Sequence, residues 1–330
     1  MRRRIASFNL LNFDLPDRPL YDGDGYSKAA FRRKLDWTAQ MFDRLSSDLV
    51  AVQEVFSEAA LRETVARSHA LRDAAFVAAP HADDPQNHLP RVGLISRLPV
   101  SDAESIRHMP SPAPILLPGA PELGLADYPI DEFSRPVLRA TIALSDNDAH
   151  RARLYVVHLK SRRPKRLQRP DGVGEDLDDP AIESRAHLRA LMIRAAEASA
   201  LRQLLLEDLL HSNTPVIVMG DFNDHADAMT TEMITGRHLA RRRSRRDHQL
   251  WHAVSLQRPG SAALHPVGYT KIHAGEPDSI DHVLLSEEFL RGGKHAIGEV
   301  VAVDYFNDHL NDADPLQSDH GAIRVTLELF

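Results

Sequence analysis

Val216-Ile217-Val218-Met219-Gly220-Asp221-Phe222-Asn223-Asp224 decides the reading of this chain. It is a short apolar run that stops abruptly in Gly-Asp-Phe-Asn. Flanked by Pro215 and Gly220, a run of that length reads as a buried strand. Asp221 and Asn223 are then delivered, two positions apart, at the strand's carboxyl end, where open α/β sheets place their sites. Other strand-like runs end or begin in the same way. Asn9 lies in Ser7-Phe8-Asn9-Leu10, Gln53-Glu54 follow Leu49–Val52, and His158-Leu159-Lys160-Ser161 follow Leu154–Val157. Asp281-His282 precede Val283–Leu285, and Ser318-Asp319-His320 open the last strand.

Around these clusters the pattern alternates between strands and helices. Ile5–Leu11 reads as the first strand. Ser27 caps a helix through about Leu45, with Phe31, Leu35, Phe42 and Leu45 at helical spacing. Leu49–Val55, Phe76–Ala79 and Arg91–Ser96 read as strands, and Ser57 opens a second helix. Residues 108–136 hold seven prolines and are expected to form a long ordered loop. Leu138–Leu144 and Leu154–Leu159 read as a hairpin turned at Asp146-Asn147-Asp148, and residues 162–181 as an exposed insertion. A long helix is predicted from about Glu183 to His211, with an apolar stripe of Leu188, Leu191, Ala195, Leu201, Leu205 and Leu209. Short strands are expected near Val267–Ile272, Ile280–Leu285, Val300–Val303 and Ala322–Leu329. No repeat or linker divides the chain, so residues 1–330 are expected to form one domain: two packed sheets with helices outside.

Composition narrows the chemistry. The chain of 330 residues is 43% hydrophobic and 26% charged, ordinary for a soluble globular protein. With no cysteine, disulfides, thiolate zinc sites and thiol nucleophiles are excluded together, and any metal must be held by oxygen and imidazole. The net charge of −7 argues against a surface covered in DNA-binding charge, although a local basic groove could hold a phosphate backbone. No segment approaches a membrane span and no signal-peptide core follows Arg2-Arg3-Arg4, so the chain reads as cytoplasmic. Nothing bears on partner proteins or oligomeric state, and a monomer is the default expectation.

Carboxylates, amides and imidazoles without a thiol suit a hard divalent cation, Mg²⁺ or Mn²⁺. A cation polarising a non-bridging oxygen, with a carboxylate or imidazole orienting water, is the chemistry of phosphoester hydrolysis. Each residue also has a plainer reading. Glu54 alone is a solvated carboxylate, His158 alone a core histidine, and Asp319-His320 alone a turn cap. Their joint occurrence carries the argument.

In that combination the chain resembles the endonuclease/exonuclease/phosphatase superfamily, which includes deoxyribonuclease I, repair nucleases, neutral sphingomyelinases and inositol polyphosphate 5-phosphatases. The matching pieces are Phe8-Asn9, Val52-Gln53-Glu54, Gly93-Leu94-Ile95-Ser96-Arg97-Leu98-Pro99, His158-Leu159-Lys160-Ser161, Gly220-Asp221-Phe222-Asn223, Ile280-Asp281-His282 and Ser318-Asp319-His320. The resemblance implies a four-layer α/β/β/α sandwich, in which two mixed, mainly antiparallel sheets pack face to face with helices outside and the site lies at one edge. It implies Glu54 as principal metal ligand with Asn9 and Asp319 nearby, and His320 as the catalytic imidazole supported by Asp281. Asp221 would orient the attacking water, Asn223 would bind a phosphate oxygen, and His158 would stabilise the phosphoryl group or protonate the leaving oxygen. The proton assignment between Asp221 and His320 stays open. A tyrosine stands near the place of His158 in the repair nucleases, so His158 sets the chain nearer deoxyribonuclease I and the sphingomyelinases.

Arg135 and Lys160 are candidates for further phosphate contacts, with solvated surface cations as the plainer alternative. Arg241-Arg242-Arg243-Ser244-Arg245-Arg246 is either a solvated face or a contact to a phosphate backbone. The expected activity is metal-dependent hydrolysis of nucleic acid phosphodiesters with little sequence preference. The alternatives are a phosphoesterase acting on a small molecule or lipid headgroup, and a non-catalytic binding protein with the same fold.

Overall fold

A computed structural model describes the chain except residues 21–22, 24, 83–88, 111–114, 146–149, 238–247, 261–262 and 313. In chain order the elements are β1 (Arg2–Phe13), α1 (Lys28–Leu45), β2 (Leu49–Val55), α2 (Glu58–Arg67), β3 (Phe76–Ala78), β4 (Arg91–Ser96), β5 (Val100–His108), β6 (Ile115–Leu117), β7 (Tyr128–Ile130) and β8 (Glu132–Ala143). They continue through β9 (Arg151–His158), α3 (Pro180–His211), β10 (Val216–Asp221), α4 (Met229–Thr235), β11 (Trp251–His252), α5 (Ala253–Leu256), β12 (Lys271–His273), β13 (Glu276–Asp278), β14 (Asp281–Leu285), β15 (Gly298–Phe306) and β16 (Ala322–Leu329).

Two six-stranded sheets form the body, in the orders β15-β16-β1-β2-β4-β3 and β11-β14-β10-β9-β8-β5. Neighbours are antiparallel except β1–β2 and β9–β10. A parallel pair cannot be closed by a tight turn and needs a crossover. Here α1 joins β1 to β2 and α3 joins β9 to β10. The facing sheets share one apolar core that includes Ile5, Leu94, Leu154, Met219 and Val325. The outer face of the first sheet packs on α1 and α2 through residues such as Phe8, Leu35 and Phe42, and that of the second on α3 through Tyr155, Leu201 and Val218. Removing such side chains from water, at roughly 1.5–3 kcal/mol each, drives the layering. The four-layer sandwich expected from the sequence is the observed architecture.

Several local expectations hold to the residue. Ser27 and Ser57 cap α1 and α2, each accepting from the backbone three residues on. Others need correction. The proline-rich region from 108 to 136 is not all loop: β6 pairs with β7, with Pro129 in the pair, and β8 begins at Glu132. A two-stranded ribbon has only edge strands, where a missing N–H is tolerated. The edge strand β5 was not anticipated, because Ser-Asp-Ala-Glu-Ser carries no apolar alternation. In α3, Leu188 and Leu191 face solvent, while Arg189, Arg194 and Glu197 are buried in their stead. The 162–181 segment is not wholly exposed, since Glu175 is buried against Arg189. The expected turn at Asp146-Asn147-Asp148 and the arginine run at 241–246 lie outside the described residues. Among the described residues, no helix is long and apolar enough to cross a membrane.

Candidate active site

The two parallel pairs both run toward the same edge of the sandwich, and their carboxyl ends carry the polar clusters. Asp221, the last residue of β10, sits in register with His158 on β9 and Asp281 on β14, so three candidate residues occupy one rung across three strands. Gly220 makes this rung possible. Its φ is +148°, and a Cβ there would stand 2.0 Å from the carbonyl oxygen of Val157, so only glycine lets β10 approach β9 so closely. In the facing sheet, β1 and β2 bulge together. Their pairing skips between Asn9 and Phe13, and Leu11, Asn12 and Glu54 all have positive φ. Such conformations cost about 1–3 kcal/mol each and concentrate at functional sites. Here they turn Glu54 toward Asn9 and the facing sheet.

Asp221 is the hub. Its Oδ2 accepts from Asn9 Nδ2 at 3.1 Å and lies 3.4 Å from His158 Nε2 and 3.8 Å from His320 Nε2. Its Oδ1 accepts from the backbone N–H of Asn223 at 2.8 Å. The same Asn9 amide donates to Glu54 Oε1 at 3.3 Å, and Glu54 Oε2 accepts from the N–H of Asn12 at 2.9 Å. His320 Nδ1 is 2.9 Å from Asp281 Oδ2, and Asp281 is fixed in turn by Thr270, whose hydroxyl accepts its N–H at 3.1 Å. Ser318 ties β1 to the segment that enters its neighbour β16, by donating to Asn9 O at 2.6 Å and accepting from His320 N–H at 3.0 Å. His158, Asp221, Asp281 and His320 thus form a buried floor, and Glu54, Asn223 and Asp319 a more open rim.

Burial and neighbouring charge set the titration of the floor. Burial, with Asp281 beside it, pushes the Asp221 carboxyl up to about 7 despite the nearby His320. Burial alone would depress His320, but the carboxylates of Asp281 and Asp221 outweigh it and raise the imidazole to about 9. Burial, then Arg135 and His320, hold His158 well below its ordinary value, so it is neutral at physiological pH.

The cations predicted from sequence, Lys160 and Arg135, flank His158 and, after burial, depress its titration. Lys160 Nζ donates to Ser161 O, Ser161 Oγ and Arg163 O at 3.0–3.1 Å, and Arg135 donates to Leu159 O at 3.3 Å. Both lie beside the site but are turned onto its own loop. Asn223 Nδ2 donates to the same Leu159 carbonyl at 2.9 Å. Sequence reasoning missed Lys271, paired with Asp319, and Glu197 and Arg194 of α3, which hold the loops carrying these residues. The available signal was the placement of charges at 194 and 197, in phase with Ala190 and Ile193.

The donor chemistry fits a hard cation. The rim offers oxygen ligands on Glu54 and Asp319, with Asn9 between Glu54 and Asp221. On the floor, ligand atoms of Asp221, Asp281 and His320 lie within 4.8 Å of one another, and Asp281 Oδ1 has no hydrogen-bond partner among the described residues. His320 Nδ1 is committed to Asp281, so the floor is a hydrogen-bonded relay as well as a set of ligand atoms.

Residues 6–320 match the model of the Endonuclease/Exonuclease/phosphatase family. Among solved structures the chain is similar to the endonuclease/exonuclease/phosphatase from Bacteroides vulgatus, with a TM-score of 0.60, 17% identity and 100% of each chain covered. It is similar to the mannosyl-6-phosphatase of Bacteroides thetaiotaomicron, with a TM-score of 0.58, 15% identity and coverage of 99% of this chain and 100% of that one. It is also similar to the human Nocturnin catalytic domain with bound sulfate anion, with a TM-score of 0.56, 15% identity and coverage of 100% and 95%. No curated protein matches the chain. At these identities the structural likeness concerns the fold.

Proposed function

The chain belongs to the endonuclease/exonuclease/phosphatase family, whose activity class is metal-dependent phosphoester hydrolysis, and from that premise we propose that it hydrolyses nucleic acid phosphodiesters with little sequence preference by in-line attack of water. The observation that carries the proposal is the convergence of Asn9, His158 and His320 on one carboxylate oxygen of Asp221.

Asp221, raised toward neutrality, is the proton acceptor that orients the water. His320, held by Asp281 and raised to about 9, stands beside it as a cation, so it offsets developing negative charge and stabilises ionised Asp221. His158 is neutral, and its Nε2, 3.4 Å from Asp221 Oδ2, is placed to hydrogen-bond a phosphoryl or leaving oxygen bound beside that carboxylate. The second N–H of the Asn223 amide, free of Leu159, is available to a non-bridging oxygen. A divalent cation, Mg²⁺ or Mn²⁺, held by Glu54 and Asp319 with Asn9, would supply Lewis-acid charge when bound.

The charge balance favours a diester over a monoester. Lys271 is committed to Asp319, Arg162 to Asp224 and Lys160 to local oxygens, which leaves few fixed cations for a dianion. Nucleic acid is favoured by the segment after Lys160. Arg163 and Lys165 are exposed there, with no carboxylate within 4.0 Å among the described residues, and could follow a phosphate backbone. A second reading, a small-molecule phosphate ester, is favoured by the net charge of −7. Plasmid DNA, methyl p-nitrophenyl phosphate and p-nitrophenyl phosphate, each with Mg²⁺, Mn²⁺ or EDTA, separate the two. The proposal expects metal-dependent cleavage of both plasmid and diester, with the plasmid reaction alone weakening steeply with salt. Hydrolysis of the monoester beside intact plasmid at low salt would refute it.

A further inference from the structure

Strands β12 and β13 form a ribbon outside both main sheets, and its foot is fastened to the floor of the site. Thr270 Oγ1 accepts the N–H of Asp281 at 3.1 Å, and Thr270 O accepts the N–H of Gly321 at 2.7 Å. The next residue, Lys271, forms an antiparallel β-bridge with His320, so the backbone is fixed where its side chain leaves it. The ammonium pairs with Asp319 Oδ2. Its charge also reaches both imidazoles of the floor. After burial and the other cations it helps to depress His158, and with burial it opposes the rise that Asp281 and Asp221 give His320. Lys271 thus stands at the rim, over the floor, on the carboxylate read above as a cation ligand. The side chains of Lys271 and Asp319 are 21% and 45% exposed, and a pair so open to water is weakly held. The lysine stem is flexible, and an ammonium is strongly repelled by a divalent cation on the same carboxylate.

We propose that Lys271 is the resident counter-ion of the cation seat, and that its ammonium leaves Asp319 for a non-bridging oxygen of the substrate phosphate once a divalent cation occupies that carboxylate. The inference rests on the phosphodiesterase reading and deepens it. In the metal-free chain Asp319 withholds Lys271 from an incoming anion; with the seat filled, the ammonium is free. Lys160 differs, because the oxygens it holds on Ser161 and Arg163 belong to no candidate metal ligand and a cation does not release it. One released ammonium beside one divalent cation answers the single charge of a diester as negative charge builds.

The test compares wild type with Lys271→Met and Lys271→Gln, changes on the ribbon that spare both main sheets. Electron paramagnetic resonance counts free Mn²⁺ in the absence of substrate, and calorimetry follows dimethyl phosphate with and without Mg²⁺. Both variants should bind Mn²⁺ about fivefold more tightly, the scale of a weak ion pair removed from Asp319. In saturating Mg²⁺ both should bind dimethyl phosphate about fivefold more weakly, and without Mg²⁺ they should match wild type. The wild-type Lys271 Cε–H resonance, identified by its loss from Lys271→Met, should shift with Mg²⁺ alone and again with dimethyl phosphate. Mn²⁺ affinity unchanged or weakened in both variants, or a Lys271 resonance indifferent to Mg²⁺, would overturn the exchange. So would diester binding that drops equally with and without Mg²⁺, as a fixed long-range charge would make it. Hydrolysis of methyl p-nitrophenyl phosphate keeps the two claims apart. A wild type that shows the exchange without turnover sinks the catalytic reading alone, and turnover with equal Mn²⁺ affinities sinks the exchange alone.

Discussion

Replacing Asp221 by Asn removes the buried carboxylate on which the site is centred, and the cost of ionising that carboxylate can be read from the pH dependence of stability. In the metal-free protein the Asp221 carboxyl is raised from 3.8 to about 7, chiefly by burial and then by Asp281. Between those values the native state keeps a proton that the unfolded chain has lost, so rising pH destabilises the fold until Asp221 ionises. At about 1.4 kcal/mol per pH unit, the loss from about pH 5 to about pH 7 is about 3 kcal/mol. His320 adds in the same direction. Its raised value stabilises the fold fully below its ordinary 6.5 and loses that contribution as pH passes about 9, and part of the rise comes from Asp221 itself. The amide introduces a pH-independent penalty, because its N–H₂ would face Asn9 Nδ2 and His158 Nε2 in place of an acceptor. The decisive quantity is therefore a difference of slopes. Urea unfolding with EDTA at about pH 5 and about pH 8.5 should show the variant gaining on wild type by about 3 kcal/mol as pH rises, while hydrolysis is lost. Parallel pH profiles for the two proteins would refute the assignment of Asp221 as a carboxylate strained by its surroundings.

Other outcomes follow from particular contacts. Gly220→Ala forces a Cβ to within 2.0 Å of Val157 O and should cost at least about 3 kcal/mol in urea unfolding, with loss of hydrolysis. Glu175→Gln leaves the fully buried Arg189 without its carboxylate and should destabilise by about 3–5 kcal/mol, whereas a Glu175→Leu, Arg189→Met double variant should recover much of that loss. Glu197→Ala orphans the N–H groups of Ser134 and Lys160, which it accepts at 2.7 and 2.6 Å, and frees the loop that carries Leu159. For that variant kcat should fall by about tenfold or more with KM nearly unchanged, since misplacement of about 1 Å is enough for such a loss.

Much of this architecture was legible because its strongest signals are local. The run Val216–Met219 ends in Gly-Asp, and the caps Ser27 and Ser57 start helices where their hydroxyls can accept. The chemistry-bearing side chains were also legible, because strand ends point them toward one edge. The less legible features arise from tertiary contacts. Glu54 in the left-handed region belongs to a bulge shared by two strands, and a one-dimensional pattern does not show it. The inner face of α3 defied apolar phasing because it must hold loops as well as a sheet. Arg189 spends its guanidinium on Glu175 and three carbonyls, Arg194 spans Lys160 O and Asp224, and Glu197 clamps two backbone N–H groups. Lys160 and Arg135 were legible as cations beside the site, but their local bonds, the Lys160 ammonium to Ser161 and Arg163 and one Arg135 N–H to Leu159 O, are tertiary detail that the sequence does not show.

The most direct measurement is hydrolysis of methyl p-nitrophenyl phosphate in H₂¹⁸O during a Mn²⁺ titration of wild type and Glu54→Gln, with ³¹P NMR of the product. The account predicts ¹⁸O incorporated at phosphorus, no turnover in EDTA, and a saturation curve for Glu54→Gln displaced to at least about tenfold higher Mn²⁺, consistent with loss of a principal carboxylate ligand. Turnover that persists in EDTA, or a Glu54→Gln curve that overlays wild type, would contradict it.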